Sequence, residues 1–339
     1  MKKDYYSEIN VARGIGALIV LLGHSFPDAE IGVFSHPGYE WIYDLCYSFH
    51  MALFFWISGF VIGRKFYTAD YSFCAEAIKK VKRLLIPYVF LSYLSLLPKI
   101  VLNAYARNPV DTSSVIKVLF GQSPNGSLWY LYTLFLFSLL ALGLGKAFGR
   151  FADWEKSGWL VITGLLTYVF YLYAGDLALR VLFVDKINKY LLFYVLGIVS
   201  FRGYARLRKI YYMSAAFFAM MLVLALTCPY LSLRMEYGIT AFCGIYAVIV
   251  VADRIKDRKE KIAYRFLDHC GSYSYDIYIL SYYVQQMIRV VCFRQLGWDY
   301  AIVFLFEAIM GFSLSYLFAV FIVRKSRILK CLMIGMWEE

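Results

Sequence analysis

The 339-residue chain is 61% hydrophobic and 19% aromatic, and only 17% of its residues are charged. A soluble protein carries about a quarter charged residues, so this composition excludes a soluble globular protein and indicates an integral membrane protein. The formal net charge of +12 would suggest a nucleic-acid partner in a soluble protein. In a membrane protein the location of the charge matters more than its sum, and no nucleic-acid partner is expected.

Ten apolar segments are candidate transmembrane helices, each of which needs roughly 20 residues to cross a bilayer. They cover approximately residues 11–26, 41–63, 84–106, 128–148, 158–174, 189–201, 211–228, 233–252, 272–293 and 300–323. The first and sixth are short, and the third contains Pro87 and Pro98. The pattern predicts an all-α fold, a polytopic transmembrane helical bundle formed by residues 1–339 as a single domain without an appended soluble domain.

The lysines and arginines predict the orientation of this bundle. With a cytoplasmic N-terminus, 25 of the 35 fall in cytoplasmic segments, seven on the other side and three inside predicted spans. This asymmetry obeys the positive-inside rule and predicts that both termini are cytoplasmic. The same charges would face the anionic lipids of the inner leaflet.

The first predicted span, "ARGIGALIVLLGHS", contains Arg13 and His24. Eleven helical residues make about three turns, which places both side chains on one face and about 16 Å apart along the axis. One interpretation is that each side chain reaches its nearer membrane surface. The other is that both face the bundle interior, as ionisable groups in spans usually do, and serve function. Histidine suits proton transfer near neutral pH.

The second predicted span contains His50, followed by Ser58, Gly59 and Gly63. The two glycines, four residues apart, favour close packing against another helix, which is compatible with a substrate approaching the backbone there. A basic cluster of Lys79, Lys80, Lys82 and Arg83 follows at the cytoplasmic entry to the third span. Such a cluster usually sets topology, but it could also bind a phosphorylated cytosolic ligand.

For the polar residues of the other predicted spans, a structural role is the first interpretation. Glu307 could pair with a cation of the bundle, and a substrate contact is the alternative. Arg289 and Lys99 are expected to extend towards the membrane surface. His269 and Cys270 lie just outside a predicted span and are not expected to form a nucleophilic pair. Neither the seven cysteines nor the four histidines have the spacing of a metal site, so no metal is expected.

Taken together, five stretches resemble the membrane-bound acyltransferase-3 family. They are Arg13 and His24 as R-x10-H, then "FHMALFFWISGF", "KRLLIPY", "GSLWYLYTLF" and "GSYSYDIYIL", in that order. The resemblance extends from the first predicted span to the ninth. Each stretch alone is weak, but the ordered set on ten spans is specific.

The resemblance implies an enzyme of the cell inner (plasma) membrane that transfers an acyl group, usually acetyl, from acetyl-CoA to a hydroxyl. The acceptor it implies is a cell-surface or lipid-linked glycan. It assigns the essential histidine to His24 and the accompanying arginine to Arg13, and it associates the coenzyme with Lys80 and Arg83, beside Lys79 and Lys82. Lys80 is a mild departure, since relatives often have arginine there. Ser281 stands where many relatives have histidine, so either that position is not catalytic or the acceptor is handled differently.

Acyl transfer to a hydroxyl requires a general base, typically contributing about 10²–10⁴-fold. His24 is the best candidate and His50 the reserve. Donors for the oxyanion could come from Ser58, Trp129 or Tyr275, and Glu307 completes the candidate substrate contacts. A thioester is already activated, so acyl-CoA acts as a co-substrate and no metal is needed. The main alternative is a transporter or flippase in which Arg13 and His24 line a pathway without chemistry, although matched repeats typical of transporters are not evident.

Overall fold

The computed structural model describes residues 6–26, 37–101, 113–173, 186–203 and 233–337. Within these ranges the chain is helical except for short connections, and no strand occurs there, which confirms the all-α prediction. The predicted seventh span, 211–228, lies outside the described residues.

The helices are numbered here in chain order. They are α1 (Ser7–Ser25), α2 (Pro37–Thr68), α3 (Phe73–Lys80), α4 (Ile86–Val101), α5 (Ser113–Leu119), α6 (Trp129–Ala147), α7 (Asp153–Tyr173), α8 (186–203), α9 (Leu233–Lys256), α10 (Ile262–Ser272), α11 (Ser274–Ile288), α12 (Tyr300–Phe318) and α13 (Arg327–Ile334). Three π-helical turns, Val81–Leu85, Arg289–Gln295 and Ala319–Val323, continue α3, α11 and α12.

Four described stretches are both long and apolar enough to cross a membrane: Trp41–Thr68, Trp129–Ala147, Tyr237–Lys256 and Tyr300–Val323. They correspond to the second, fourth, eighth and tenth predicted spans. The total of ten spans and the cytoplasmic termini remain predictions.

Helix α12 has the residue distribution of a lipid-facing helix. Its side chains at Ile302, Leu305 and Ile309 are more than half exposed, whereas Glu307 and Ser315 are fully buried. A helix in water has the opposite arrangement, with polar groups outside and apolar groups inside. The exposed apolar face therefore fits contact with lipid, and the polar face is directed to other helices.

The chain divides into two compact units, the first formed by Met1–Ile57 and Gly203–Phe321 and the second by Ser58–Arg202 and Ile322–Glu339. In the first unit, α1 packs against α9, α10, α11 and α12. Its contact with α10 is especially close, because a Cβ atom at Gly14 would overlap the Leu267 carbonyl and one at Gly271 would overlap the Asn10 carbonyl. The Asn10 amide also donates to the Asp268 carbonyl oxygen at 2.7 Å, which ties the two helices together.

In the second unit, α2 packs on α8 through the two glycines singled out in the sequence. A Cβ atom at Gly59 would overlap the Tyr194 carbonyl, and one at Gly63 would lie 2.6 Å from Cβ of Phe201. The prediction that these glycines permit close helix packing is confirmed.

A widened turn precedes Pro87, near the start of α4. Proline lacks the amide hydrogen that would bond the carbonyl four residues earlier, and its ring crowds that carbonyl. The chain forms the π-helical turn Val81–Leu85 there, in which the Ile86 amide donates to the Val81 carbonyl. This turn contains Lys82 and Arg83 of the basic cluster, so Pro87 affects the backbone conformation of both residues.

Candidate active site

His24 lies in the last turn of α1, a turn that other helices of the first unit hold in place. Gln285 donates to the Leu21 carbonyl at 2.8 Å, Arg289 to the His24 carbonyl at 2.8 Å, and Tyr300 to the Ser25 carbonyl at 2.6 Å. The last carbonyls of a helix have no partner within it, and such groups are costly away from water. Arg289 and Tyr300 supply donors to two of these last carbonyls, and Gln285 adds a donor to the Leu21 carbonyl, which also accepts from Ser25 Oγ.

The His24 imidazole is half-buried among tyrosines. Its Nδ1 lies 3.3 Å from the Tyr47 hydroxyl oxygen. The rings of Tyr47 and Tyr282 meet the imidazole edge-on, with centroids 6.1 Å and 5.7 Å away. If Nδ1–H donates to Tyr47, the neutral ring presents Nε2 as its basic nitrogen. The arrangement can therefore hold an imidazole in one orientation for proton transfer.

His50 is buried and belongs to the same cluster. Its Nδ1 lies 2.5 Å from the Cys46 carbonyl oxygen, which can only accept, so Nδ1 carries the hydrogen and Nε2 is the acceptor of the neutral ring. The Tyr47 ring meets the His50 ring edge-on at 4.9 Å. Tyr47 therefore contacts both histidines, and the structure brings the predicted base and its predicted reserve to one tyrosine.

Arg13 and His24 do not form a pair. Both lie on the continuous helix α1, so the predicted common face is confirmed, but the helical rise separates them by about 16 Å. Arg13 is half-buried. A joint role would have to involve groups about three helical turns apart.

Glu307 and Arg289 form a buried ion pair in the first unit. Arg289 Nε lies 3.0 Å from one carboxylate oxygen and its terminal nitrogen 2.6 Å from the other. The prediction that Glu307 pairs with a cation of the bundle is confirmed, and the prediction that Arg289 extends to the membrane surface is wrong. The exposed fraction of the Arg289 side chain is only 4%, because its bidentate partner and the His24 carbonyl lie in the interior.

The remaining predicted residues of the first unit lie on α11 or near it. Tyr275 is half-buried on α11, and Ser281 is buried one turn before Gln285. His269 bonds the Tyr316 hydroxyl at 2.8 Å, whereas Cys270 is buried. Nothing in these contacts pairs His269 with Cys270.

The basic cluster belongs to the second unit, and its members differ in their surroundings. Lys79 and Lys65 both bind Glu76. Burial alone would raise the pKa of this carboxyl, but the two lysines hold it below its ordinary value. The pKa of Lys80 is lowered to about 8 by burial and by the nearby cations of Lys65 and Arg83. A nearby anion such as a phosphate would stabilise the charged form of Lys80.

Lys82 and Arg83 contact the C-terminal segment. The Trp337 indole donates to the Lys82 carbonyl at 3.2 Å, and the Lys82 ammonium lies 5.3 Å from the centre of that ring. Arg83 donates to the Ile334 carbonyl at the end of α13. Lys82 and Arg83, two of the four cations predicted to bind a phosphorylated ligand, therefore also bind the C-terminal segment.

Ser58 and Trp129, two predicted oxyanion donors, also belong to the second unit. Ser58 Oγ lies 3.1 Å from the Tyr130 hydroxyl oxygen. Trp129 stacks on Tyr190 at 5.3 Å, and the Lys186 ammonium lies 5.5 Å from its ring centre. Lys99, predicted to extend towards the surface, is half-buried and donates to the Pro124 carbonyl at 2.8 Å.

Sequence reasoning missed four residues around His24: Tyr47, Tyr282, Gln285 and Tyr300. One signal was present, because Tyr47 and His50 are three residues apart on one helix and so share a face. Gln285 and Arg289, four residues apart in an apolar span, were a second such signal.

A family model for the acyltransferase-3 acyltransferase domain matches residues 6–333 of the chain. This match covers the helices that carry His24, Tyr47, Tyr282 and Tyr300 as well as the basic cluster. Neither a curated protein nor a solved structure matches the chain.

Proposed function

The chain belongs to the acyltransferase-3 family, and we propose that it is an integral membrane O-acetyltransferase with His24 as general base. In this proposal acetyl-CoA is the cytosolic donor. The acceptor is a hydroxyl of a cell-surface or lipid-linked glycan, and the location is the inner (plasma) membrane. The single observation that carries the proposal is the environment of His24 within a chain of this family.

His24 has what a general base requires. It is half-buried, its backbone is held by Arg289, and its Nδ1 is within reach of the Tyr47 hydroxyl. With Nδ1–H donating to Tyr47, Nε2 accepts a proton from the acceptor hydroxyl. This resembles the way a third group orients the histidine of a catalytic triad.

The reaction then follows ordinary acyl-transfer chemistry. As Nε2 takes the hydroxyl proton, the acceptor oxygen attacks the thioester carbonyl, and a tetrahedral intermediate with an oxyanion forms. Collapse of the intermediate breaks the carbon–sulfur bond and releases the coenzyme A thiolate, which recovers the proton from the imidazolium. This oxyanion requires hydrogen-bond donors, for which Ser58, Trp129 and Tyr275 are the candidates named from the sequence.

The basic cluster is proposed to bind the phosphates of the donor. Lys80 is the strongest member on physical grounds, because its charge is destabilised by burial and by neighbouring cations and is relieved by a phosphate. Arg83 supplies a guanidinium that can pair bidentately with phosphate. Lys79 and Lys82 add positive charge around these two.

The test uses labelled acetyl-CoA with membranes that contain the protein and the glycan of its host. Wild type, His24→Ala and His24→Gln are compared at equal expression, with His269→Gln as control because His269 is an exposed histidine bonded to Tyr316. We expect both His24 variants to lose about 10²–10⁴-fold in rate, as removal of a general base does. The control should retain wild-type activity.

Label that appears with wild type and vanishes with both His24 variants supports the proposal. Equal label in wild type and His24→Ala would remove His24 from the reaction and direct attention to His50. No label with any variant would contradict the assigned donor or acceptor and favour a transporter.

A further inference from the structure

We propose that Arg289 is a positioning residue for His24 and acts through the backbone carbonyl of His24 rather than through its ring. This inference rests on the proposed role of His24 as base. It goes beyond that role because it makes a buried ion pair on two other helices a determinant of the reaction rate.

Buried side chains hold the peptide groups at the end of α1. Helix α1 ends at Ser25, so the carbonyls of His24 and Ser25 are among those without a partner inside the helix. Arg289 donates to the His24 carbonyl at 2.8 Å, and Tyr300 donates to the Ser25 carbonyl at 2.6 Å. The peptide group that carries the His24 side chain is therefore held directly, by donors that are themselves buried.

The Arg289 guanidinium is a rigid donor. Two hydrogen bonds to Glu307 fix the plane of the Arg289 guanidinium, since a bidentate pair restricts rotation as well as distance. Arg289 Nη2, which donates to Glu307 Oε2, also donates to the His24 carbonyl. A lysine ammonium has no such fork, so it could keep the charge but not this geometry.

Close helix packing supports the ion pair of Arg289 and Glu307. Gln285 lies one turn before Arg289, and Gly311 lies one turn after Glu307, so the two antiparallel helices keep one register. A Cβ atom at Gly311 would lie 2.9 Å from Cγ of Gln285. Gln285 in turn donates to the Leu21 carbonyl and to Ser25 Oγ, both at 2.8 Å. The end of α1 is thus held by Gln285, which packs closely against Gly311, and by Arg289, which is fixed by its pair with Glu307.

The position of the His24 peptide affects the rate of the chemical step. A displacement of a reacting group by about 1 Å can cost about 10²-fold in rate. Loosening the hold on the His24 peptide should therefore lower kcat. It should leave KM for acetyl-CoA unchanged, since Arg289 is not a member of the basic cluster.

The kinetic experiment compares Tyr300→Phe, Arg289→Lys and the double variant Arg289→Gln/Glu307→Gln in purified protein. The double variant avoids an unpaired buried charge. Tyr88→Phe is the matched control, because the buried Tyr88 hydroxyl also donates to a backbone carbonyl, that of Val118 at 3.0 Å, in the second unit. We expect kcat to fall about 10- to 100-fold in Arg289→Lys and in the double variant, and less in Tyr300→Phe. An unchanged kcat in Arg289→Lys, or an equal fall in Tyr88→Phe, would overturn the proposal.

A second measurement does not depend on turnover. The protein is labelled with ¹³C,¹⁵N-histidine in nanodiscs, and the ring signal of His24 is identified by its loss in His24→Ala. Arg289→Lys should move or broaden the His24 signal and leave that of the exposed His269 in place, whereas Tyr88→Phe should change neither. An unmoved His24 signal in Arg289→Lys would refute the positioning role. If wild type transferred no acetyl group, the proposed function would fail and this signal would still decide the role of Arg289.

Discussion

Lys80 is the member of the basic cluster whose charge is most easily changed. Burial disfavours its ammonium form, and Lys65 and Arg83 add repulsion that Glu76 only partly offsets, so its pKa is lowered to about 8. Lys79, in contrast, is exposed and paired with Glu76 at 3.2 Å. Burial therefore distinguishes residues that the sequence presents as equivalent cations.

The lowered pKa predicts a pH dependence of donor binding. Lys80 is charged below about pH 8 and neutral above it, so a phosphate contact is present at lower pH and lost as the pH rises through that value. We expect KM for acetyl-CoA to rise up to about tenfold between about pH 7 and about pH 9, while Lys80→Arg, which stays charged, remains flat. Initial rates over a range of acetyl-CoA concentrations measure this. A KM that rises as steeply in Lys80→Arg as in wild type would show that another group titrates.

At the scale of helices, close approach through glycine sets the packing in both units. Gly14 and Gly271 bring α1 onto α10, and Gly59 brings α2 onto α8, each against a backbone carbonyl that leaves no space for a Cβ atom. Without a hydrophobic driving force between helices in lipid, van der Waals packing of this kind supplies much of the association. The helix that carries His24 is placed by such a contact.

A methyl group at Gly59 should separate α2 from α8. We expect Gly59→Ala to destabilise the protein by about 1–3 kcal/mol, the usual cost of overpacking, and to lower the midpoint of thermal unfolding in detergent. Gly158→Ala is the matched control, since Gly158 lies in α7 and a Cβ atom there would meet nothing within 4 Å. The control should be neutral or stabilised by up to about 1 kcal/mol. Equal midpoints for the two variants would argue against close packing at Gly59.

At the scale of the whole molecule, the distribution of apolar surface reflects a lipid environment. Helix α7, like α12, exposes large apolar side chains, among them Trp159, Leu166 and Phe170. Helix α7 is not one of the four stretches that are apolar enough to span on composition alone, yet it corresponds to the predicted fifth span. Chemical labelling of exposed residues can therefore test the number of spans.

Labelling of single cysteines distinguishes the ten predicted spans from a topology with only the four apolar stretches. Ten spans place seven crossings between Cys74 and Gln295, which puts them on opposite sides, whereas the four apolar stretches alone place two crossings between them. We expect an impermeant maleimide to label Gln295→Cys in intact cells and a retained native Cys74 only in inverted vesicles, each in a background without other cysteines. Both positions are exposed, so failure to react would not follow from burial. Labelling of both from the same side would contradict the ten-span topology.

Much of this protein follows from local sequence. The helical class follows from the apolar segments, and the common face of Arg13 and His24 follows from the helical period alone. The packing role of Gly59 and Gly63 follows from their four-residue spacing. The ordered set of five motifs was enough to indicate the family that the domain match establishes.

The tertiary structure decided the partners of the polar residues. The sequence could not predict that Arg289 lies buried between Glu307 and the His24 carbonyl, because arginine in a span can equally reach the membrane surface. Nor could it predict that Tyr47 contacts His24 across 23 residues, or that Arg289 bonds His24 across 265. Periodicity relates residues within one helix, whereas these contacts depend on which helices pack together and in which register. The sequence by itself therefore determined the helices and their polar residues, and only the packing of those helices decided what each polar residue binds.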